Sequence, residues 1–137
     1  MANIHVYKGT VTAGSTNGTQ VSEGTGAEPI SIGPLKASLN EESDPVKLAI
    51  RCEADYETIG NTTITPTGTS SAKWALAPDN AGSAGAFGSY GAALTISSTI
   101  DDTNTLFWAK AKATNDEANP VSDTSVDLVV AAVIAAA

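Results

Sequence analysis

The amino-acid sequence predicts an all-β protein, a sandwich of short strands. Apolar and polar residues alternate with a period of two in several segments, whereas no segment shows the 3.6-residue period of a helix. Candidate strands recur about every 10–20 residues and are separated by turn residues. Charged residues make up 16% of the 137-residue chain, and Gly, Ser, Thr and Asn are abundant. A chain of this length can bury one core of its own.

The first 27 residues have the pattern of a β-hairpin. Residues 4–12 are predicted to form a strand, Asn17-Gly18 is a strong hairpin-turn signal, and residues 19–21 return. A hairpin with few large apolar groups is only marginally stable in water. We therefore expect residues 1–27 to form an N-terminal β arm that packs on the main body or on a partner chain, with the sandwich domain spanning residues 28–137.

The clearest alternation lies at residues 46–53. It predicts a strand with one face inward and one outward: Val46, Leu48, Ile50 and Cys52 in, Lys47, Ala49, Arg51 and Glu53 out. Cys52 is the only cysteine, so no disulfide can form within the chain. Its place on the apolar face predicts a buried, inert thiol.

The middle of the chain continues the strand pattern. Residues 61–69 are rich in Thr, and residues 72–76 form a short strand in which Trp74 is a candidate core residue. Glycine then occurs at every third position from 82 to 91, which predicts a flexible or closely packed loop that Phe87 and Tyr90 would tether. Residues 93–100 resume the alternation.

Residues 103–115 also alternate with a period of two and predict a strand. Phe107, Ala109, Ala111 and Ala113 form an apolar face, and Trp108, Lys110 and Lys112 form a basic one. The chain closes with residues 125–137, in which no residue from 128 onward carries a charged or polar side chain. Such a strand presents an apolar edge unless something covers it, which predicts association.

From residue 28 onward, the order of strands resembles an immunoglobulin-like sandwich. Residues 46–52 would be the second strand, Trp74 would lie on the third, residues 94–96 on the fifth, residues 107–115 on the sixth and residues 126–130 on the last. The resemblance implies that Cys52 faces alanines of the sixth strand, in place of the disulfide of antibody domains.

The chain also resembles small structural proteins of tailed bacteriophages and prophages. It begins with a short β segment directly after Met, and it is acidic and rich in Ala, Gly, Thr and Asn. The segments 30–35, 45–52 and 107–114 also resemble the sequences of such proteins. The resemblance implies a virion role such as head decoration, head fibre or tail accessory. Its partners would then be other virion proteins or further copies of the same chain.

The net charge of −8 argues against nucleic acid or an anionic membrane surface as the main partner. There is no secretory signal pattern, so we expect synthesis in the cytosol, and the longest apolar run is too short to span a bilayer. The single histidine, His5, has no metal-ligand spacing around it, and the acidic turns at 41–44, 101–102 and 116–117 fit solvated loops better than a calcium site. We expect no cofactor and no enzymatic activity.

The sequence favours two functions and leaves a hydrolase as a distant third. The leading hypothesis is a non-enzymatic virion protein that acts by protein–protein interaction, and the alternative is an immunoglobulin-like module that binds a glycan or cell-surface ligand. The residues predicted to form an interaction surface are Tyr7, Val11, Phe87, Tyr90, Trp108, Val133 and Ile134. The aromatic members of this set are the ones that could stack on a sugar.

Overall fold

A computed structural model describes residues 3–21, 45–67, 71–112 and 127–137 of the chain. Those residues form two antiparallel sheets, which confirms the all-β prediction. The strands are β1 (Ile4–Lys8), β2 (Thr19–Gln20), β3 (Val46–Cys52), β4 (Tyr56–Thr67), β5 (Trp74–Asn80), β6 (Ser83–Ala84), β7 (Leu94–Ile96), β8 (Thr105–Ala111) and β9 (Asp127–Ala136). One turn of 3-10 helix, Ser71–Lys73, precedes β5.

The larger sheet has the strand order β2-β1-β3-β8-β5-β6. Its centre is the pair β3 and β8, in which Leu48 lies opposite Phe107 and Lys47 lies opposite Trp108. The smaller sheet has the order β7-β4-β9, so β9 is hydrogen-bonded on one side only among the described residues. The pairing of β4 with β9 contains a register shift between Ile59 and Thr63.

The core lies between the two sheets. From the larger sheet it receives the alternating residues of four strands, among them Ile4, Leu48, Ile50, Leu76, Phe107 and Ala109. The smaller sheet contributes Ile64, and Leu94, Ile96, Leu128, Val130 and Ile134 pack against it as half-buried residues. The alternation predicted for residues 46–53 and 103–112 is confirmed on the inward side, whereas Ala113 lies outside the described residues.

Three details differ from the sequence prediction. Ala49 was assigned to the exposed face but is fully buried, because it lies between Tyr7 on β1 and Leu106 on β8. Trp74, predicted to be a core residue, is half-buried and packs against the edge of the core. The strand predicted for residues 4–12 ends at Lys8, and residues 9–18 form a long connection instead of a two-residue hairpin turn.

The N-terminal segment is part of the larger sheet. β1 pairs with β3 along four residues, and Ile4 and Val6 belong to the core. The arm was expected to pack on the main body or on a partner chain, and the structure shows that β1 packs on the main body. The boundary predicted between residues 27 and 28 lies outside the described residues.

The pairing of β3 with β8 also bears on the immunoglobulin-like resemblance. In immunoglobulin-like domains the second and sixth strands belong to opposite sheets, whereas β3 and β8 are hydrogen-bonded neighbours. Cys52 therefore does not face the alanines of β8 across the sandwich. Its Sγ lies 3.4 Å from the carbonyl oxygen of Ile100, which precedes β8.

Candidate interaction surfaces

The outer face of the larger sheet combines lysines with aromatic rings. Lys47 and Trp108 are cross-strand partners, and Lys110 and Lys112 follow Trp108 on the same side of β8. Phe87 and Tyr90, from the glycine-rich segment, reach the same lysines. We call these six residues, Lys47, Phe87, Tyr90, Trp108, Lys110 and Lys112, the basic–aromatic face.

The glycine repeat explains how the two rings reach this face. The N–H groups of Gly85, Gly88 and Gly91 donate to the carbonyl oxygens of Pro78, Leu76 and Trp74, respectively. Each advance of three residues along the segment thus corresponds to an advance of two residues along β5. The segment runs beside the strand and covers its edge. At Gly85 a Cβ atom would lie 3.0 Å from the Pro78 oxygen, so the close approach favours glycine there.

The lysines lie over the aromatic rings at cation–π distances. Lys110 Nζ is 4.8 Å from the centroid of the Phe87 ring and 5.7 Å from that of Tyr90. Lys112 Nζ is 4.3 Å from the Tyr90 centroid. Two ammonium groups therefore converge on one ring, which concentrates positive charge on the surface of an acidic protein.

Trp108 is held in place by a carboxylate. Its Nε1–H donates to Asp79 Oδ1 at 2.9 Å, across the small residue Ala77 of β5. Both side chains are partly buried. The indole is thus fixed by a charge-assisted hydrogen bond, and Lys47 lies next to it on β3.

At the other end of the same face, Arg51 and Asn104 organise a polar cluster. Arg51 Nη1 donates to Asn104 Oδ1 at 2.7 Å and to the Asn17 carbonyl oxygen at 2.9 Å, and its guanidinium carbon lies 3.6 Å from the centroid of the Tyr7 ring. Asn104 Nδ2 in turn donates to Asn17 Oδ1 at 2.9 Å and to the Thr12 carbonyl oxygen at 3.1 Å. This Asn104 cluster fixes the connection 9–18 to the sheet.

Carboxylates gather beyond the Asn104 cluster, where β3 ends and β8 begins. They are Glu53, Asp55 and Glu57 from the β3–β4 turn and the start of β4, and Asp101 and Asp102 before β8; we call them the carboxylate end. The backbone N–H of Cys52 donates to the Asp101 carbonyl oxygen at 2.7 Å, which joins the two segments. Burial raises the pKa of the Cys52 thiol, and the charges of Asp101, Asp102 and Glu57 raise it further.

Asp101 itself is stabilised as a carboxylate. The Thr103 hydroxyl and the Thr103 N–H donate to its Oδ1 at 2.6 and 2.9 Å. These hydrogen bonds favour the charged form and lower the pKa of Asp101 below its usual value. The carboxylate end therefore keeps this negative charge in mildly acidic solution.

The outer face of the smaller sheet is apolar. Ile59 on β4 and Val133 on β9 are cross-strand neighbours, and they are 58% and 63% exposed. Val129 on β9 is 49% exposed, and Ala131 lies between the two valines. We call these four residues the apolar face; it borders the edge of β9.

The seven residues predicted to form an interaction surface fall in different places. Tyr7, Phe87, Tyr90 and Trp108 share the outer face of the larger sheet, and Val133 lies on the apolar face, on the opposite side of the sandwich. The prediction is wrong for two of them: Val11 is buried at 1% exposure, and Ile134 packs toward the core. The position of Ile134 follows from side-chain direction, since β9 alternates and Val133 takes the outward position.

Sequence reasoning missed Lys47, Ile59 and the Asn104 cluster as parts of these surfaces. Lys47 could have been found as an exposed residue, because the pattern of residues 46–53 already pointed it outward. The Asn104 cluster had no sequence signal, since it joins residues from three distant segments.

No family model, no curated protein and no solved structure matches this chain. Within the described ranges, no group of three or more His, Cys, Asp and Glu side chains is arranged to hold a metal ion. No helix in that part of the chain is long and apolar enough to cross a membrane.

Proposed function

We propose that this chain is a non-enzymatic structural protein of a phage or phage-like particle and that it attaches through β9. The observation that carries the proposal is that β9 is an edge strand and that it also contributes to the exposed apolar face. Over the residues that the structure describes, β9 pairs only with β4. Its outward residues Val129 and Val133 are about half exposed or more, beside Ile59.

Natural proteins protect edge strands with lysine, proline, bulges or very short strands. β9 has 10 residues, and from Leu128 to its end it contains no charged residue, no proline and no glycine. The other edge of the smaller sheet, β7, has only three residues. The long edge is therefore the one that is suited to accept a strand from a partner.

Strand addition at β9 would use two kinds of interaction. The outward N–H and C=O groups of β9 would pair with the partner backbone, and Val129 and Val133 would pack on apolar side chains of the added strand. Fully burying a valine is worth roughly 1.5–3 kcal/mol, so covering two half-exposed valines contributes about 2 kcal/mol. Backbone pairing gives the remaining affinity and fixes the register.

The assignment to a virion depends on the resemblance to phage structural proteins, and the attachment mode depends on β9. Partners would be other virion proteins or further copies. The immunoglobulin-like resemblance implies that β3 and β8 lie in opposite sheets, which is wrong, and the classification of the sandwich as a whole stays a prediction. The proposed attachment does not depend on it.

The test is co-sedimentation with particles produced from the same genome with this gene deleted. The purified wild-type protein is expected to sediment with those particles. Val133→Lys places a charge on the edge and is expected to weaken binding at least about tenfold, which is 1.4 kcal/mol. Ser98→Lys adds the same charge in the exposed bend before β8 and is the matched control.

Wild-type protein that stays in the supernatant would contradict the virion assignment. Val133→Lys protein that binds as well as the wild type would contradict attachment through β9. Circular dichroism of both variants establishes that they are folded before binding is compared.

A glycan-binding module is the second candidate, because Phe87, Tyr90 and Trp108 share one face. Two of the three rings already have lysine ammonium groups over them, and the Trp108 N–H is bonded to Asp79. A sugar would have to displace those lysines to stack. Binding on a glycan array that is lost in Trp108→Ala, with unchanged particle binding, would favour this function over attachment at β9.

A further inference from the structure

Among the described residues, most lysines and most carboxylates lie at opposite ends of the strands, with Asp79, beside Trp108, as an exception. Within the described part of the chain, lysines gather where β3 begins and β8 ends: Lys47, Lys110 and Lys112 on the basic–aromatic face, and Lys73 beside them, whose carbonyl oxygen accepts the Lys112 N–H. Five carboxylates gather at the other end. Lys47 and Cys52 are five positions apart on β3, which is about 17 Å in an extended strand.

Each end has a reason to accept the opposite charge. The ammonium groups of Lys110 and Lys112 both lie within 6 Å of the Tyr90 ring centre, so positive charge is concentrated there and attracts a cluster of carboxylates. At the carboxylate end, Glu53, Asp55, Asp101 and Asp102 are exposed. Asp101 is held in its charged form by Thr103.

We propose that the basic–aromatic face of one copy binds the carboxylate end of a second copy. The two patches lie at opposite ends of the same molecule, so the contact is head to tail, and a pair of copies still has one free patch of each kind for further copies. The product is a row or a closed ring of copies stacked along the strand direction. This contact leaves β9 uncovered and does not depend on the attachment proposed for it.

A second copy fits this face better than nucleic acid does. The chain as a whole carries −8, which repels a phosphate backbone beyond the immediate patch. The carboxylate end of another copy brings its negative charge as a local cluster of side chains, and the remaining surface of that copy stays in solvent. Such a contact is strong at low ionic strength and is screened when the Debye length falls below the size of the patch.

The experiment is sedimentation velocity of the full chain over a range of concentrations at about 20 mM and about 500 mM salt. At low salt the weight-average mass is expected to rise with concentration above the 13.8 kDa monomer, and at high salt it is expected to return toward the monomer. A wild-type protein that stays monomeric at low salt over the whole range would overturn the proposal.

Two charge-reversal variants identify the surfaces. The first is Lys47→Glu with Lys112→Glu, and the second is Glu53→Lys with Asp102→Lys. Each alone is expected to associate at least about tenfold more weakly than the wild type at low salt. An equimolar mixture is expected to recover association, because the reversed end of one variant matches the reversed end of the other.

Net charge cannot account for such recovery. Each reversal changes the charge by two units, so from −8 the first variant reaches −12 and the second −4, and both remain negative. A mixture that fails to associate would overturn the proposal. Association that persists in both variants but disappears in Val133→Lys would also overturn it and would assign the contact between copies to β9.

Discussion

The two sheets of this sandwich bury one face each, but they treat the other face differently. The outer face of the larger sheet carries rings, lysines and an arginine that engage one another, and the alanines between them, Ala49, Ala75 and Ala77, are fully buried. The outer face of the smaller sheet carries Ile59, Val129 and Val133, which are 49–63% exposed. One sheet is completed by its own chain, and the other is completed by a partner in the function proposed above.

The difference follows from what borders each sheet. The glycine-rich segment covers the β5 side of the larger sheet, and the connection 9–18 closes the other side through Asn104. In the described part of the chain, no comparable segment is hydrogen-bonded to the free edge of β9. Stability should therefore depend on the larger sheet, whereas substitutions on the apolar face should change binding and leave stability nearly unchanged.

The largest expected effect is on the inner face of the larger sheet. Phe107 is fully buried, so Phe107→Ala should lower the free energy of unfolding by about 3–5 kcal/mol. Chemical denaturation followed by tryptophan fluorescence measures this loss. Trp74→Ala is the internal comparison and should cost roughly half as much, because Trp74 is only half-buried. A larger loss at Trp74 than at Phe107 would place the core elsewhere.

The next effect concerns the outer face of the same sheet. Asn104→Ala should lower the free energy of unfolding by about 2–3 kcal/mol, because it removes an acceptor from the Arg51 guanidinium and leaves a partly buried charge less satisfied. Denaturation curves of Asn104→Ala and of the exposed neighbour Asp102→Ala give the comparison. Equal, small losses in the two variants would show that the Asn104 cluster does not stabilise this face.

In the smaller sheet, a substitution should raise stability. Thr62 is fully buried, and its Oγ1 has no hydrogen-bond partner among the described residues. Thr62→Val keeps the shape and removes the unsatisfied hydroxyl, so the free energy of unfolding should rise by about 1 kcal/mol. Thr58→Val is the matched control and should destabilise, because the Thr58 hydroxyl accepts the Ile100 N–H at 2.9 Å. A lower free energy of unfolding in Thr62→Val would mean that the Thr62 hydroxyl has a hydrogen-bond partner.

A smaller effect is expected at Cys52, where the larger sheet meets the carboxylate end. Burial raises the pKa of the thiol above its usual 9.0, with a further contribution from Asp101, Asp102 and Glu57. The folded state therefore retains a proton that the unfolded state loses, so this contribution to stability is complete below about pH 9 and is lost as pH rises through the folded pKa. The difference in the free energy of unfolding between the wild type and Cys52→Ala, measured from pH 7 to 10, should show this fall.

The thiol also reports on strand register. Native Cys52 should react slowly with a thiol reagent and quickly in denaturant, since it is 1% exposed. Rapid labelling of the native protein would contradict the inward position of Cys52 on β3.

The strands that could be predicted from the sequence are those whose alternation is local. Residues 46–53 and 103–112 each carry their own inward and outward pattern, so both faces could be assigned without knowing their neighbours. The burial of Ala49 could not be predicted in this way, because it depends on Tyr7 and Leu106, which lie on the adjacent strands. The conformation of residues 9–18 could not be predicted either. Asn17 does not form a tight turn, because it is hydrogen-bonded to Arg51 and Asn104, which are distant in the chain.

Sheet membership could not be predicted for a similar reason. Alternation shows which residues share a face, but it does not show which strand lies beside which. The pairing of β3 with β8 joins segments more than 50 positions apart, and no residue type at either strand specifies it. Of the candidate site residues, the ones placed correctly on a surface are those whose outward direction follows from local alternation, such as Trp108 and Val133.

The contrast between a completed and an uncompleted sheet is tested most directly by amide hydrogen exchange of the monomeric protein, residue by residue, on β8 and β9. Every interior amide of β8 should be protected, because β8 pairs with β3 on one side and β5 on the other. On β9, protection should alternate: amides that face β4 should exchange slowly and those that face the free edge should exchange quickly. Uniform protection along β9 in the monomer would show that the edge is already covered and would contradict the account.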